Sequence, residues 1–308
     1  MNSPDTKWSP PRKAIFAASS SSLLLIIVKL GVGFSTGTVV VMASAVDSLL
    51  DFMVSSFNAY AVRTTEKPSD ELYNYGRGKI EGIAALLEGL FILASALYIL
   101  REAITKFLNP SIALVNEKHL FYAIIAMIFS LIVTALLVLY LKKMGRLSNS
   151  LIVKADTVHY QIDLLSNGGI LASLVLIRFT GWHWVDPSVA VCVALYVARA
   201  AIPLLQKGTA MLLDRALEED LVEKIRHIAT THTAKINGFH ELKTRRSGDT
   251  HFVEFHLVFD EDIRLREAHH IADEIELKIR GLESGKWIIN VHLDPVDDSF
   301  KDQKLSKS

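Results

Sequence analysis

Long apolar runs separated by short polar connections fill the first two thirds of the chain. Six of them are long enough to cross roughly 30 Å of hydrocarbon at about 20 residues each; they fall near Ala14–Phe34, Val39–Val62, Ile80–Ile104, His119–Leu141, Val158–Phe179 and Val185–Leu205. The first is too long for a signal-peptide core, and its flank Lys7, Arg12, Lys13 is not followed by a small-residue cleavage site, so it is expected to stay as a helix. After Gly208 the pattern changes. Glu218–Thr231 and Arg264–Arg280 have the period of amphipathic helices, Phe239–Arg246 and Thr250–Asp260 alternate as a hairpin around Ser247-Gly248-Asp249, and Trp287–Leu293 reads as a last strand. This α-β-β-α-β order predicts one small sheet with helices on a face. The fold class is an α-helical membrane protein with six transmembrane helices plus a C-terminal α+β domain. The divisions are a tail at 1–13, a membrane domain at 14–207, a soluble domain at 208–296 and a polar tail at 297–308 expected to be disordered.

Charge sharpens the division. The formal net charge of zero is a cancellation, because residues 1–207 hold 18 basic and 13 acidic side chains while residues 208–308 hold 15 and 20. One set of connections carries Lys7, Arg12, Lys13, Arg63, Lys67, Arg77, Lys79, Lys142, Lys143, Arg146 and Lys154; the other carries Arg101, Lys106, Lys118 and Arg178. The positive-inside rule therefore places both termini in the cytoplasm, with residues 35–38 and the Gly181–Trp184 turn outside. The single cysteine, Cys192, lies inside an apolar run, which excludes a disulfide framework and a thiolate zinc cluster. Any metal site must use His and carboxylates.

Carboxylates do occur inside the apolar runs, where each costs roughly 2.5 to 3.5 kcal/mol at the bilayer centre and is functional by default. Asp47 and Asp51 in the second span are four apart, on one helix face, and His159 and Asp163 repeat the spacing in the fifth. Two helices that each present such a pair can enclose one divalent cation in a four-coordinate shell. Interhelical hydrogen bonds or a water-filled vestibule would also account for one pair alone; two matched pairs favour the metal. Glu81 and Asp156 lie near span ends and are expected to be solvated, whereas Glu88 is deeper and suited to tuning the site or carrying protons. Metal binding needs neutral His and ionised Asp, so loading releases protons and protonation expels the ion. His159 titrates in the working pH range and is the proton-coupled ligand on this reading.

The runs Val46-Asp47-Ser48-Leu49-Leu50-Asp51, Ala155-Asp156-Thr157-Val158-His159-Tyr160-Gln161-Ile162-Asp163 and Gly76-Arg77-Gly78-Lys79 resemble the cation diffusion facilitator family. Leu212-Leu213-Asp214-Arg215-Ala216-Leu217 is similar to its bacterial YiiP branch of zinc and ferrous-iron efflux pumps. The resemblance runs from about Ala14 to Pro295. It implies a homodimeric, multi-pass exporter of the bacterial inner membrane, not an enzyme, that exchanges cytoplasmic divalent metal for protons. Zn2+ is the expected cargo, with Cd2+ and Fe2+ as alternatives; lipid is the surrounding partner and nucleic acid is not one. The soluble domain is then cytoplasmic and ferredoxin-like.

The resemblance also assigns residues. His240, His256, His269, His292 and Asp294 match the ligands of the family's cytoplasmic two-metal site at the dimer contact, whereas Leu293 stands where that pattern has a Gln. His227, His232, His251 and His270 match nothing and are expected at the surface. The loop after the second span should supply an Asp and two His, but this chain has Asp70, Tyr73 and Arg77. Arg cannot lose its proton to become a ligand, so this site is predicted not to bind metal, with Arg77 paired to Asp70 instead. Lys79 and Asp214 match a charge interlock that holds the family's dimer, although a solvated pair would read the same way.

Two other functions fit parts of the pattern. A membrane di-metal oxidase needs repeated E-x-x-H motifs, and one such spacing exists, Glu267 to His270 on a soluble helix. A metal sensor or scaffold, anchored by its membrane part, would not need ligands inside the spans.

Overall fold

The computed structural model describes residues 8–36, 39–108, 117–148, 150–182 and 184–295. The polar tail expected at 297–308, Lys7, the 37–38 part of the first outer connection and His183 lie outside the described residues. The chain divides into two compact units, Met1–Thr209 and Ala210–Ser308.

The first unit is built from six long helices: α1 (Pro10–Thr36), α2 (Val39–Thr65), α3 (Ile80–Leu108), α4 (Glu117–Leu147), α5 (Leu151–Thr180) and α6 (Val185–Leu212). Among the described residues, five are long and apolar enough to cross a membrane. The other, α2, has the length but carries Asp47, Asp51 and Asn58. Large apolar side chains such as Phe16, Ile27, Leu97, Leu136 and Leu139 point outward. On a water-soluble protein that much exposed apolar surface would aggregate; here it is the lipid-facing surface of a multi-pass membrane protein.

Small residues bring the helices together, as they must where lipid is as apolar as leucine. Ala14 and Ala18 of α1 pack against Leu137, Val138 and Leu141 of α4 and Tyr160 of α5, while Ala61, Ala84 and Ile152 join α2, α3 and α5. Gly208 of α6 lies so close to α3 that a Cβ there would sit 2.9 Å from the Gly82 carbonyl oxygen.

Glu81 and Asp156 are buried, not solvated, at 6% and 0% exposure. The physical reason is that each finds a donor on a neighbouring helix. Glu81, in the first turn of α3, accepts from the Leu151 N–H at 2.8 Å and the Ser150 hydroxyl at 3.0 Å. Its charge satisfies the unpaired start of α5, where Ser150 makes no side-chain cap of its own. Asp156 accepts from Asn58 of α2 at 3.2 Å.

The second unit runs α7 (Glu219–Thr231), β1 (Gly238–Ser247), β2 (Thr250–Val258), α8 (Leu265–Arg280) and β3 (Lys286–Asp294). Its sheet order is β1-β2-β3, with β1 antiparallel and β3 parallel to β2. Leu221, Ile225 and Ala229 of α7 and Ala268, Ile271, Ile275 and Ile279 of α8 form apolar stripes. They cover the face made by Val253, Phe255 and Leu257 of β2 and Trp287 and Ile289 of β3. Alternation sends the even-numbered residues of β2 and β3 to the other face. His251 has core parity and is buried, 1% exposed, with its ring stacked on Trp287 at 4.3 Å; this corrects its expected surface position. Burial lowers its pKa.

Candidate metal centres

In the helical unit, the i, i+4 spacing of α5 and the facing turn of α2 bring three ligands together. His159 Nε2 lies 3.3 Å from Asp51 Oδ1 and 3.6 Å from Asp163 Oδ2, and the three ligand atoms are within 4.8 Å of one another. Ligands about 2.1 Å from a tetrahedral centre are separated by about 3.4 Å, so this spacing fits one shared cation. It is long for a hydrogen bond. His159 is buried between Phe91 and Tyr160, whose rings lie 6.1 and 5.3 Å from its own. Asp47, one turn from Asp51 on α2, is exposed and outside the group of three.

Two side chains here carried no expectation. Lys29 of α1, 7% exposed, donates to the Ser48 hydroxyl at 2.7 Å and to the Ser44 carbonyl at 3.3 Å. A lone Lys within an apolar span is the signal that marks it. Asn58 bridges Glu88 and Asp156.

In the sheet unit, strand register builds the second centre. His240, His256 and His292 are partners across β1, β2 and β3, a row on the face away from the helices. Asp294, two residues along β3, stands 3.3 Å from His240 Nε2, 2.8 Å from His256 Nδ1 and 2.6 Å from His292 Nδ1. Both His240 ring nitrogens are buried, and among the described residues neither has a hydrogen bond of acceptable geometry, Asp294 included. Buried orphan imidazole beside a carboxylate suits a divalent metal. His269 lies apart from this row, exposed on α8 beside Asp273. Leu293 packs against the apolar core, so by parity it faces away from the His row.

A bulge between His240 and Lys243 changes the parity of β1. It keeps both Phe239 and Leu242 against the core, and it holds Glu241 at φ 51. The Glu241 carboxylate reaches 3.8 Å from His256 Nε2. Sequence spacing gave no sign of this carboxylate, because a bulge is invisible to a period-two reading.

The loop between α2 and α3 has the expected pairing. Arg77 Nη2 donates to Asp70 Oδ2 at 2.6 Å, and its guanidinium lies 4.1 Å over the Tyr73 ring. That hydrogen bond, followed by the Tyr73 backbone N–H, holds the Asp70 carboxyl below its usual range. Asp214 forms an ion pair with Arg245 at 3.2 Å. Among the remaining histidines, His227 and His270 are exposed, and His232 lies between Glu274 at 2.7 Å and Lys278 at 2.9 Å.

The family described as the cation efflux transmembrane domain matches residues 15–213, and the cation efflux protein cytoplasmic domain matches residues 217–296. The chain belongs to the cation efflux family. It is a transporter, not an enzyme. The cation-efflux pump FieF of Escherichia fergusonii is 35% identical over 283 residues, 92% of each chain. FieF of Shewanella oneidensis is 35% identical over 271 residues, 88% of this chain and 89% of its own. Two solved structures of CzrB, described as a zinc transporter, are each 34% identical. The zinc form covers 28% of this chain and 96% of its own at a TM-score of 0.26; the other covers 26% and 99% at 0.24.

Proposed function

We propose that this cation efflux protein is a proton-coupled antiporter that exports Zn2+ from the cytoplasm, with Cd2+ and Fe2+ as further cargo. The observation that carries the reading is the convergence of Asp51, His159 and Asp163 at the spacing of a shared ion. Asp47, the fourth member of the two matched pairs, completes the shell by a turn of its side chain or of α2. Zinc binding displaces protons from His159 and the carboxylates, and protons arriving from outside displace zinc. Net export then follows the proton gradient. His and carboxylate ligands without thiolate release zinc more readily than a structural cysteine site.

The same reading places the chain in the bacterial inner membrane as a homodimer, with lipid around the helices and Lys79 and Asp214 as its charge interlock. His240, His256, His292 and Asp294, joined by His269 in the assembled dimer, hold resident zinc that ties the soluble domains together.

Purified protein in liposomes, loaded with zinc on one side and given a pH gradient, tests the reading. Wild type should move zinc with opposite proton flux, and Asp51→Ala should lose transport by more than about 100-fold, since even outer-shell losses cost 10–100-fold in metal affinity. Equal transport by Asp51→Ala would sink the assigned site.

A further inference from the structure

The helical unit contains a second group of buried oxygens, on α2, α3 and α5. Asn58 of α2, Glu88 of α3 and Asp156 of α5 are 1%, 3% and 0% exposed. The Asn58 amide donates to Glu88 Oε2 and to Asp156 Oδ1, each at 3.2 Å. That one NH2 group therefore ties three helices together. The Asn58 carbonyl oxygen and the second oxygen of each carboxyl, Glu88 Oε1 and Asp156 Oδ2, are buried and have no hydrogen-bond partner among the described residues.

Three orphan acceptors on three helices are unusual, because buried polar atoms are nearly always satisfied. A proton does not complete the set. One proton on a carboxyl bridges that oxygen to at most one other acceptor, which leaves the third unsatisfied. A cation coordinated by all three would satisfy them together. It also supplies the positive charge that two buried carboxylates sharing one amide lack.

We propose that Asn58, Glu88 and Asp156 form a second divalent-cation site, in series with Asp51, His159 and Asp163. The inference takes its cargo from the transport reading above. Asp156 precedes His159 by about 4.5 Å of helix rise and Asn58 follows Asp51 by about 10.5 Å. Both displacements lead toward the end of the bundle where α2 finishes and α3 and α5 begin. An ion moving between that end and the His159 site meets this cluster on the way. The donors are all oxygen, so the cluster holds zinc less firmly than the imidazole site and accepts a harder ion such as Mn2+ more readily. Weak binding suits a place of transit.

The test uses the full-length protein in detergent, with His256→Ala throughout to remove the cytoplasmic centre, and reads bound Zn2+ and Mn2+ by equilibrium dialysis. Glu88→Gln should bind one ion fewer per chain than its parent. Asp51→Ala should keep a Mn2+-binding event, seen by electron paramagnetic resonance, that disappears in Asp51→Ala/Glu88→Gln. Asn58→Asp guards against simple misfolding, because it adds charge to the shell and should tighten Mn2+ binding by about tenfold, ligand charge being what tunes such sites. An unchanged ion count in Glu88→Gln and Asp156→Asn, or no tightening in Asn58→Asp, would show an interhelical hydrogen-bond network only and overturn the proposal. Loss of an ion in Glu88→Gln together with undiminished transport by Asp51→Ala would instead overturn the transport-site assignment and leave this one standing.

Discussion

Arg77 reaches back across seven residues to Asp70, and the 2.6 Å hydrogen bond between them occupies the carboxylate that a loop metal would need. Asp70 Oδ1 is committed as well, accepting the backbone N–H groups of Leu72 and Tyr73 at 3.1 and 2.9 Å. A guanidinium keeps its charge at every accessible pH and cannot become a ligand itself. The wild-type loop should bind no zinc. Tyr73→His/Arg77→His should add one zinc per chain, counted by elemental analysis of the purified protein; the same count in both proteins would show that the pairing is not what empties the loop.

Glu81 caps a helix to which it does not belong. Replacing it with Ala leaves the Leu151 N–H and the Ser150 hydroxyl without their acceptor, and losing a cap costs about 1 kcal/mol. Because α5 carries His159 and Asp163, the destabilisation should also weaken zinc binding at the proposed transport site. Glu81→Gln, which keeps an acceptor oxygen, should recover most of the loss. Thermal unfolding of the three proteins in detergent measures the order: wild type, Gln, then Ala.

His251 gives the sheet unit a pH dependence of definite sign. Burial lowers its folded pKa, with Arg246 adding to the effect, so between the folded value and about 6.5 the unfolded chain binds more protons than the folded one. Its contribution to stability is complete above about pH 6.5 and is lost as the pH falls toward the folded value. His251→Phe, which keeps a flat ring against Trp287, should flatten that part of the stability profile. An identical acid loss in the variant would assign it to other groups.

Glu241 pays a conformational penalty at φ 51, of order 1 kcal/mol for a residue other than Gly. Glu241→Gly should therefore stabilise the sheet unit slightly and, by removing the carboxylate beside His256, weaken zinc at the proposed His240–His256–Asp294 centre. Calorimetric unfolding without metal and zinc titration at neutral pH measure the two effects. A fall in stability with unchanged zinc affinity would mean that the bulge is a structural feature and nothing more.

What the sequence made legible was whatever has a fixed period. The six apolar runs, the i, i+4 pairs at Asp47/Asp51 and His159/Asp163, and the amphipathic stripes of α7 and α8 follow from helix geometry alone. The surroundings of Glu81 and Asp156 did not follow, because the rotation of one helix against another decides whether a polar group near its end meets water or a donor. Asn58 was overlooked for the same reason. His251 was readable in principle: it shares the parity of Val253, Phe255 and Leu257. Glu241 was not, since nothing local announces the bulge that turns it toward His256.

The alignment of His240, His256 and His292 rests on a parallel pairing between β2 and β3 that α8 and its two connections deliver. Side chains in a strand alternate strictly, so a shift of one residue exchanges the two faces. A slip of one residue in that pairing would point His292 and Asp294 into the apolar core and turn Trp287, Ile289 and Leu293 out of it. The register that buries Trp287 and Ile289 is therefore the one that lines up the three histidines, so the apolar core sets the ligand row before any metal arrives.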